Sequence, residues 1–315
     1  MRAAIRWFAP ATLAVVFALL ALTGEAQSRS SPGRDLQGMW NSNTMTPLQR
    51  PAEFAARIQL TPEEAAEYER GYFERGIARG VNTDIQIDYN DVFVKLPKLD
   101  ERRTALIVDP PDGHLPPLVP GVAVRAYKRS YDDPEGLAFG ERCLTVLGTA
   151  STNGNASLAS PPLTPAVLFD NLLQIVQTED RVLIFSEWIH DARVVRLGGT
   201  HLPSRIRPWL GDSIGQWDGN TLVIDTTNFR PDTMNQGSSE HLHVVERMTR
   251  IDTDTLRYRV TVEDPATWTR PWTAEWRFHA TAEPMIEVAC HEGNYNTENF
   301  LRGARAEEKR ASGRD

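Results

Sequence analysis

His241-Leu242-His243 is the pair of imidazoles in this 315-residue chain whose spacing most directly invites chemistry. If Glu240 to Glu246 is a strand, side chains alternate and the two rings share one face. With a third ligand from His190, Glu187 or the His291-Glu292 pair, such rings can hold zinc or iron. Without one they form a hydrogen-bonded pair at a rim. A divalent metal at His241 and His243 is therefore one expectation, and no organic cofactor is expected. The same alternation sets a condition: if Leu242 and Val244 face the core, both histidines face solvent.

Other residues extend the list of candidates. Glu187 through Arg193 places an acid, His190 and a guanidinium at a strand corner, a kit for proton transfer or a polar hairpin tip. Asp225 and Glu246 interrupt apolar strands; a carboxylate turned inward is costly unless paired, so either is a site candidate if inward and a structural pair if not. Cys290 next to His291 suggests a nucleophile and base, but neighbours on a strand point to opposite faces. A Cys143–Cys290 disulfide is the preferred reading of the two cysteines. Trp272 and Trp276 share a strand face and, with Trp217 and Arg193, could shape a pocket for an apolar or aromatic molecule; they also suit an ordinary barrel core. The acid/base set is then His190, His243, Glu246, Asp225 and His291.

The elements that must position these residues are strands. Residues 1–26 read as a secretory signal peptide: Arg2 and Arg6 precede the apolar run Phe8 to Leu22, and Gly24-Glu25-Ala26 offers a cleavage site. The run is too short for a membrane anchor, and no later one approaches spanning length. The expected location is periplasmic or secreted. The formal charge of −8 becomes about −9 after cleavage, and the cations are scattered, which argues against a nucleic-acid partner. Residues 27–165 read as an irregular arm with one helix, about 61–80, whose Thr61-Pro62-Glu63-Glu64 start is a capping box with proline at the first helical position. From Leu173 onward, strands and turns alternate at short spacing. Asp218-Gly219-Asn220 marks a hairpin, and Leu256, Tyr258, Val260 and Val262 alternate with polar residues, as do Trp272, Ala274, Trp276 and Phe278. Ile286, Val288 and Cys290 read as a last strand. The fold class is mainly β: an antiparallel meander over 166–300, closed into a barrel or strongly curled, followed by a polar tail over 301–315.

Three motifs carry a resemblance. Asp35-Leu36-Gln37-Gly38-Met39-Trp40, Ile107 to Pro117 and Trp217 to Thr226 resemble the Asp-Leu-x-Gly-x-Trp start, the proline-rich Ile-Val-Asp segment and the Trp-x-Gly-x-Thr-Leu-Val-x-Asp-Thr hairpin of a large group of secreted bacterial proteins, mostly without assigned function. The resemblance implies secretion and transfers no catalytic residue. Gly38-Met39-Trp40 also resembles the Gly-x-Trp that opens lipocalin-like barrels, which implies a cup for small apolar ligands.

No phosphate-binding glycine loop, Gly-x-Ser-x-Gly elbow or His-Glu-x-x-His is present, which disfavours nucleotide enzymes, ordinary α/β esterases and helix-based metalloproteases. The expected function is a β-barrel that binds a small apolar or aromatic molecule and acts on it by acid/base chemistry as a hydrolase, lyase or isomerase. A noncatalytic carrier or carbohydrate-binding module is the alternative. Oligomeric state is not readable.

Overall fold

Alternating apolar and polar residues leave each strand with one face to bury, and successive hairpins bury those faces by curling one sheet onto itself. The computed structural model describes residues 32–54, 57–71, 97–122, 130–137, 139, 141–144, 161–163, 172–187, 190–231, 238–287 and 289–313. The expected signal peptide, 1–26, lies outside the described residues.

Ten strands make the sheet: β1 (Gly38–Asn41), β2 (Ile107–Asp109), β3 (Leu172–Gln177), β4 (Arg181–Ser186), β5 (Ala192–Leu197), β6 (Asp212–Asp218), β7 (Thr221–Thr227), β8 (His243–Arg250), β9 (Thr255–Glu263) and β10 (Trp272–Ala280). β3 to β10 are neighbours in chain order, and β1 pairs antiparallel with both β3 and β10, closing a nine-stranded barrel; β2 adds to β10 outside the ring. The mainly β, closed architecture expected from the alternation is thus present. Its closing strand comes from the N-terminal arm, so the barrel is not confined to 166–300. Trp40, in that strand, is buried with Tyr258, Trp272, Trp276 and Phe278.

The β6–β7 hairpin pairs every residue from Asp212↔Thr227 to Asp218↔Thr221. Its turn uses Gly219 at φ 60°, where a Cβ would strain the backbone. One pairing departs from an antiparallel meander: β5 and β6 run parallel, joined through Arg196↔Ile214 and Leu197↔Gly215. Gly198-Gly199 starts a long connection over 198–211. Parallel neighbours require such a crossing, because the chain must return to the starting end.

Helix α1 (Pro62–Arg70) begins with the expected capping box: Thr61 accepts from the Glu64 N–H and Glu64 accepts from the Thr61 N–H. Gly71 ends it, earlier than expected, and residues 72–80 lie outside the described residues. No strand forms over the described residues of Ile286 to Cys290 (Val288 lies outside them), and the polar tail is largely helical, α2 (Asn296–Ala311). Its Arg302–Glu298 and Arg305–Glu308 pairs follow helical spacing. Cys143 and Cys290 form the expected disulfide, with Cα atoms 5.7 Å apart.

Candidate functional site

Leu242 and Val244 face the core, so alternation sends His243 to the outer surface of the barrel. There it meets Asp225 of β7, which lies outward for the same reason: Leu222, Ile224 and Thr226 take the inward positions. In the β7–β8 register Asp225 pairs with Val245, making His243 its diagonal neighbour on the outer face. His243 Nε2 lies 3.0 Å from Asp225 Oδ2.

The second oxygen of Asp225 takes another imidazole. His201 Nε2 lies 2.9 Å from Asp225 Oδ1, and His201 Nδ1 lies 2.9 Å from Asp212 Oδ2. Asp212, the first residue of β6, is buried beneath the 198–211 connection. It accepts from the Leu202 N–H at 2.8 Å and from Arg196 at 2.7 and 3.3 Å. Arg196 also donates to Thr200 O, and Asn228 donates to Leu202 O, fixing the connection over the site. A chain of alternating carboxylates and imidazoles therefore runs from buried Asp212 through His201 and Asp225 to His243. Beyond it, His243 Nδ1 faces Glu263 Oε2 at 3.6 Å, longer than a hydrogen bond.

The electrostatics follow. The hydrogen bond and charge of Asp225 raise His243 above the usual histidine value, with Glu263 adding to them and burial opposing. Asp225 lies below the usual carboxylate value chiefly through its bond to His243, against burial, with His201 contributing. Burial alone would push Asp212 up, but Arg196, the Leu202 N–H and His201 outweigh it, and its net shift is downward. These terms shift His243 toward its protonated form and Asp225 toward its ionised form.

No family model, no curated protein and no solved structure matches the chain. The site must therefore be read from its own geometry.

The other sequence candidates scatter. His241 is exposed in the turn before β8, so only His243 of the two lies within the strand. Among the described residues no group of three or more His, Cys, Asp or Glu side chains is placed to hold a metal. His190 is exposed, and Glu187 is buried, accepting from the Leu172 and Ile286 N–H groups at 3.1 and 2.7 Å. Arg193 turns into the barrel. The expected rim of Glu187, His190 and Arg193 is thus dispersed, because alternation puts Arg193 on the inward face. His291 lies exposed in the turn before α2, and Cys290 is bonded to Cys143, not free.

Glu246 is inward, as an inward carboxylate must be, and paired: Arg193 grips both its oxygens, and Tyr258 donates to Oε1 at 2.8 Å. Tyr258 in turn accepts from the Leu163 N–H at 3.1 Å, tying an arm segment into the barrel. Burial, then the Glu246 charge, pushes the Tyr258 hydroxyl well above its ordinary value, so it serves as a donor. Trp272 and Trp276 line this interior. Trp217 is half-buried at the barrel end, with the Arg34 guanidinium 5.7 Å from its ring.

His201, Asp212, Arg196 and Glu263 are the site residues that sequence reasoning missed. The hairpin register offered a signal for Asp212, since pairing Asp218 with Thr221 puts Asp212 and Asp225 on one face. His201 sits between Gly199 and Pro203 in a segment with no periodicity to read.

Proposed function

We propose that this protein acts on a small molecule by general acid/base chemistry at the outer-face group centred on His243. The supporting observation is the shared Asp225 carboxylate, which holds one imidazole on each oxygen. His243 spends Nε2 on Asp225, so Nδ1 is the working nitrogen, with the exposed Glu263 able to turn aside. The raised pKa suits His243 as general acid; after donating its proton it becomes the base for the following step. Asp225 orients the ring and favours its charged form. His201, anchored by Asp212, holds Asp225 in turn. A hydrolysis, elimination or isomerisation needing no organic cofactor fits this group.

The disulfide supports an oxidising compartment. Together with the expected signal peptide, it leads us to place the protein outside the cytoplasm. No helix among the described residues is long and apolar enough to cross a membrane.

The test is turnover of a panel of small chromogenic esters, lactones and enones from pH 4.5 to 9 by the wild type, His243→Gln and Asp225→Asn. The expected outcome is a loss of roughly 10²-fold or more in both variants, with the folded state retained by circular dichroism. Turnover that persists unchanged, with the same pH profile, overturns the assignment, and absence of turnover by the wild type favours a noncatalytic carrier.

A further inference from the structure

Among the described residues, three buried N–H groups of the barrel interior have no acceptor: Arg193 Nε, Trp272 Nε1 and Trp276 Nε1. Their residues are only 2%, 1% and 1% exposed, so bulk water does not serve them. Nearby acceptors are already engaged. Both oxygens of Glu246 hold Arg193, and the Tyr258 oxygen accepts from Leu163 while its proton goes to Glu246. Buried polar groups are ordinarily satisfied, so three orphan donors in one interior call for an occupant.

The sheet register shows where it would sit. Across β8, β9 and β10 the inward residues form rows: Val244, Val262 and Trp272; then Glu246, Val260 and Ala274; then Met248, Tyr258 and Trp276. The middle row has the smallest side chain, Ala274, between two tryptophans on the same strand, and it is the row where Arg193 meets Glu246. Trp276 packs edge-on against Tyr258, with centroids 4.7 Å apart. Trp272 and Trp276 thus flank, in the register, a row whose own charges cancel.

From this we infer that the barrel holds, in the Ala274 row, a small neutral molecule bearing hydrogen-bond-accepting oxygen, such as a ketone or ester, against the Arg193 and tryptophan N–H groups. An anion is disfavoured because Glu246 already occupies the row, and a donor-rich molecule would meet Glu246 and Tyr258 oxygens that are already engaged. This site lies on the opposite face of β8 from His243, and its readout is independent of turnover.

The probe is acetophenone, a neutral aromatic ketone, with cumene as its near-isostere lacking the carbonyl. In the full chain labelled with ¹⁵N, indole resonances are assigned through Trp272→Phe and Trp276→Phe. Acetophenone is expected to shift both indole N–H signals downfield saturably, and cumene to leave them in place. Ala274→Leu, which fills the row, is expected to abolish the shift while leaving the rest of the spectrum intact. Native mass spectrometry of the purified protein checks for a molecule already bound; a small neutral added mass supports the proposal. Signals unmoved by acetophenone together with a bare polypeptide mass overturn it and leave water as the occupant. An equal response to cumene, or an undiminished response in the folded Ala274→Leu protein, also overturns it.

Discussion

Two carboxylates one residue apart in the β7–β8 register meet opposite fates. Glu246 faces Ile224 across the strands and points inward; Asp225, next to Ile224, points outward. Inside, an unpaired charge is too costly, and Glu246 survives by binding Arg193 on both oxygens with Tyr258 as a third donor. Outside, Asp225 can stay accessible while orienting two histidines, with its side chain 38% exposed and that of His243 34%. At that exposure solvent screens the pair, so its contribution to stability is small and its effect on proton affinity is the quantity to measure. The raised His243 contributes stability fully present below its unfolded pKa of about 6.5 and lost as pH rises through its folded value. The lowered Asp225 contributes stability present above about 3.9 and lost as pH falls through its own folded value. Between those limits the pair is fully formed. Asp225→Asn removes the largest cause of the His243 shift, so the ring should titrate closer to the ordinary histidine range. Following its Hε1 proton resonance against pH checks this, and an unchanged midpoint would show that Asp225 does not set the proton affinity.

At the level of elements, what could be read in advance was what alternation encodes. Tyr258, Val260 and Val262 announced an inward face, and Asp218-Gly219-Asn220 announced the turn it makes. Alternation posed the His241-Leu242-His243 question but left its answer open; the structure answers it by putting Leu242 and Val244 in the core. The parallel β5–β6 pair was not legible, because Gly198-Gly199 is equally good at reversing a chain and at releasing it into a long connection. His243 and Asp225 were each recognisable, but their partnership depends on register, and His201 reaches them only because that connection crosses the outer face. Closure by β1 was hidden for a related reason: the pairing partners of Gly38–Asn41 lie more than a hundred residues downstream, and no local pattern encodes them. The C-terminal helix is the opposite case, an element with little holding it. No residue of α2 is buried, and its described contacts with the rest include the Tyr131–Phe300 stack and the Arg305 bond to Asp132 O. Deleting residues 296–315 should therefore lower the thermal midpoint by no more than about 4 °C, the equivalent of roughly 1 kcal/mol in a domain of this size. A scanning calorimetry trace showing a larger fall would mean that α2 is part of the cooperative core.

For the whole molecule, the decisive fact is that the arm and the later strands form one body. The arm supplies β1, which closes the ring. It also supplies β2 on the outside and the 161–163 segment, which binds Tyr258 in the interior. The disulfide then links Cys143 of the arm to Cys290 beyond the last strand, spanning 147 residues. A cross-link over so long a loop acts mainly on the unfolded chain by limiting how far it can spread, and it leaves the barrel's own pairings untouched. Replacing both cysteines by serine should thus keep the fold while lowering stability by about 2–4 kcal/mol. In urea the expected signature is one transition at a lower midpoint with a steeper slope, because the freed unfolded chain exposes more surface. Two separate transitions would instead mean that arm and barrel unfold independently. That outcome is hard to reconcile with β1 hydrogen-bonded on both edges, since loss of the arm opens the ring between β3 and β10 and exposes Trp276 and Phe278.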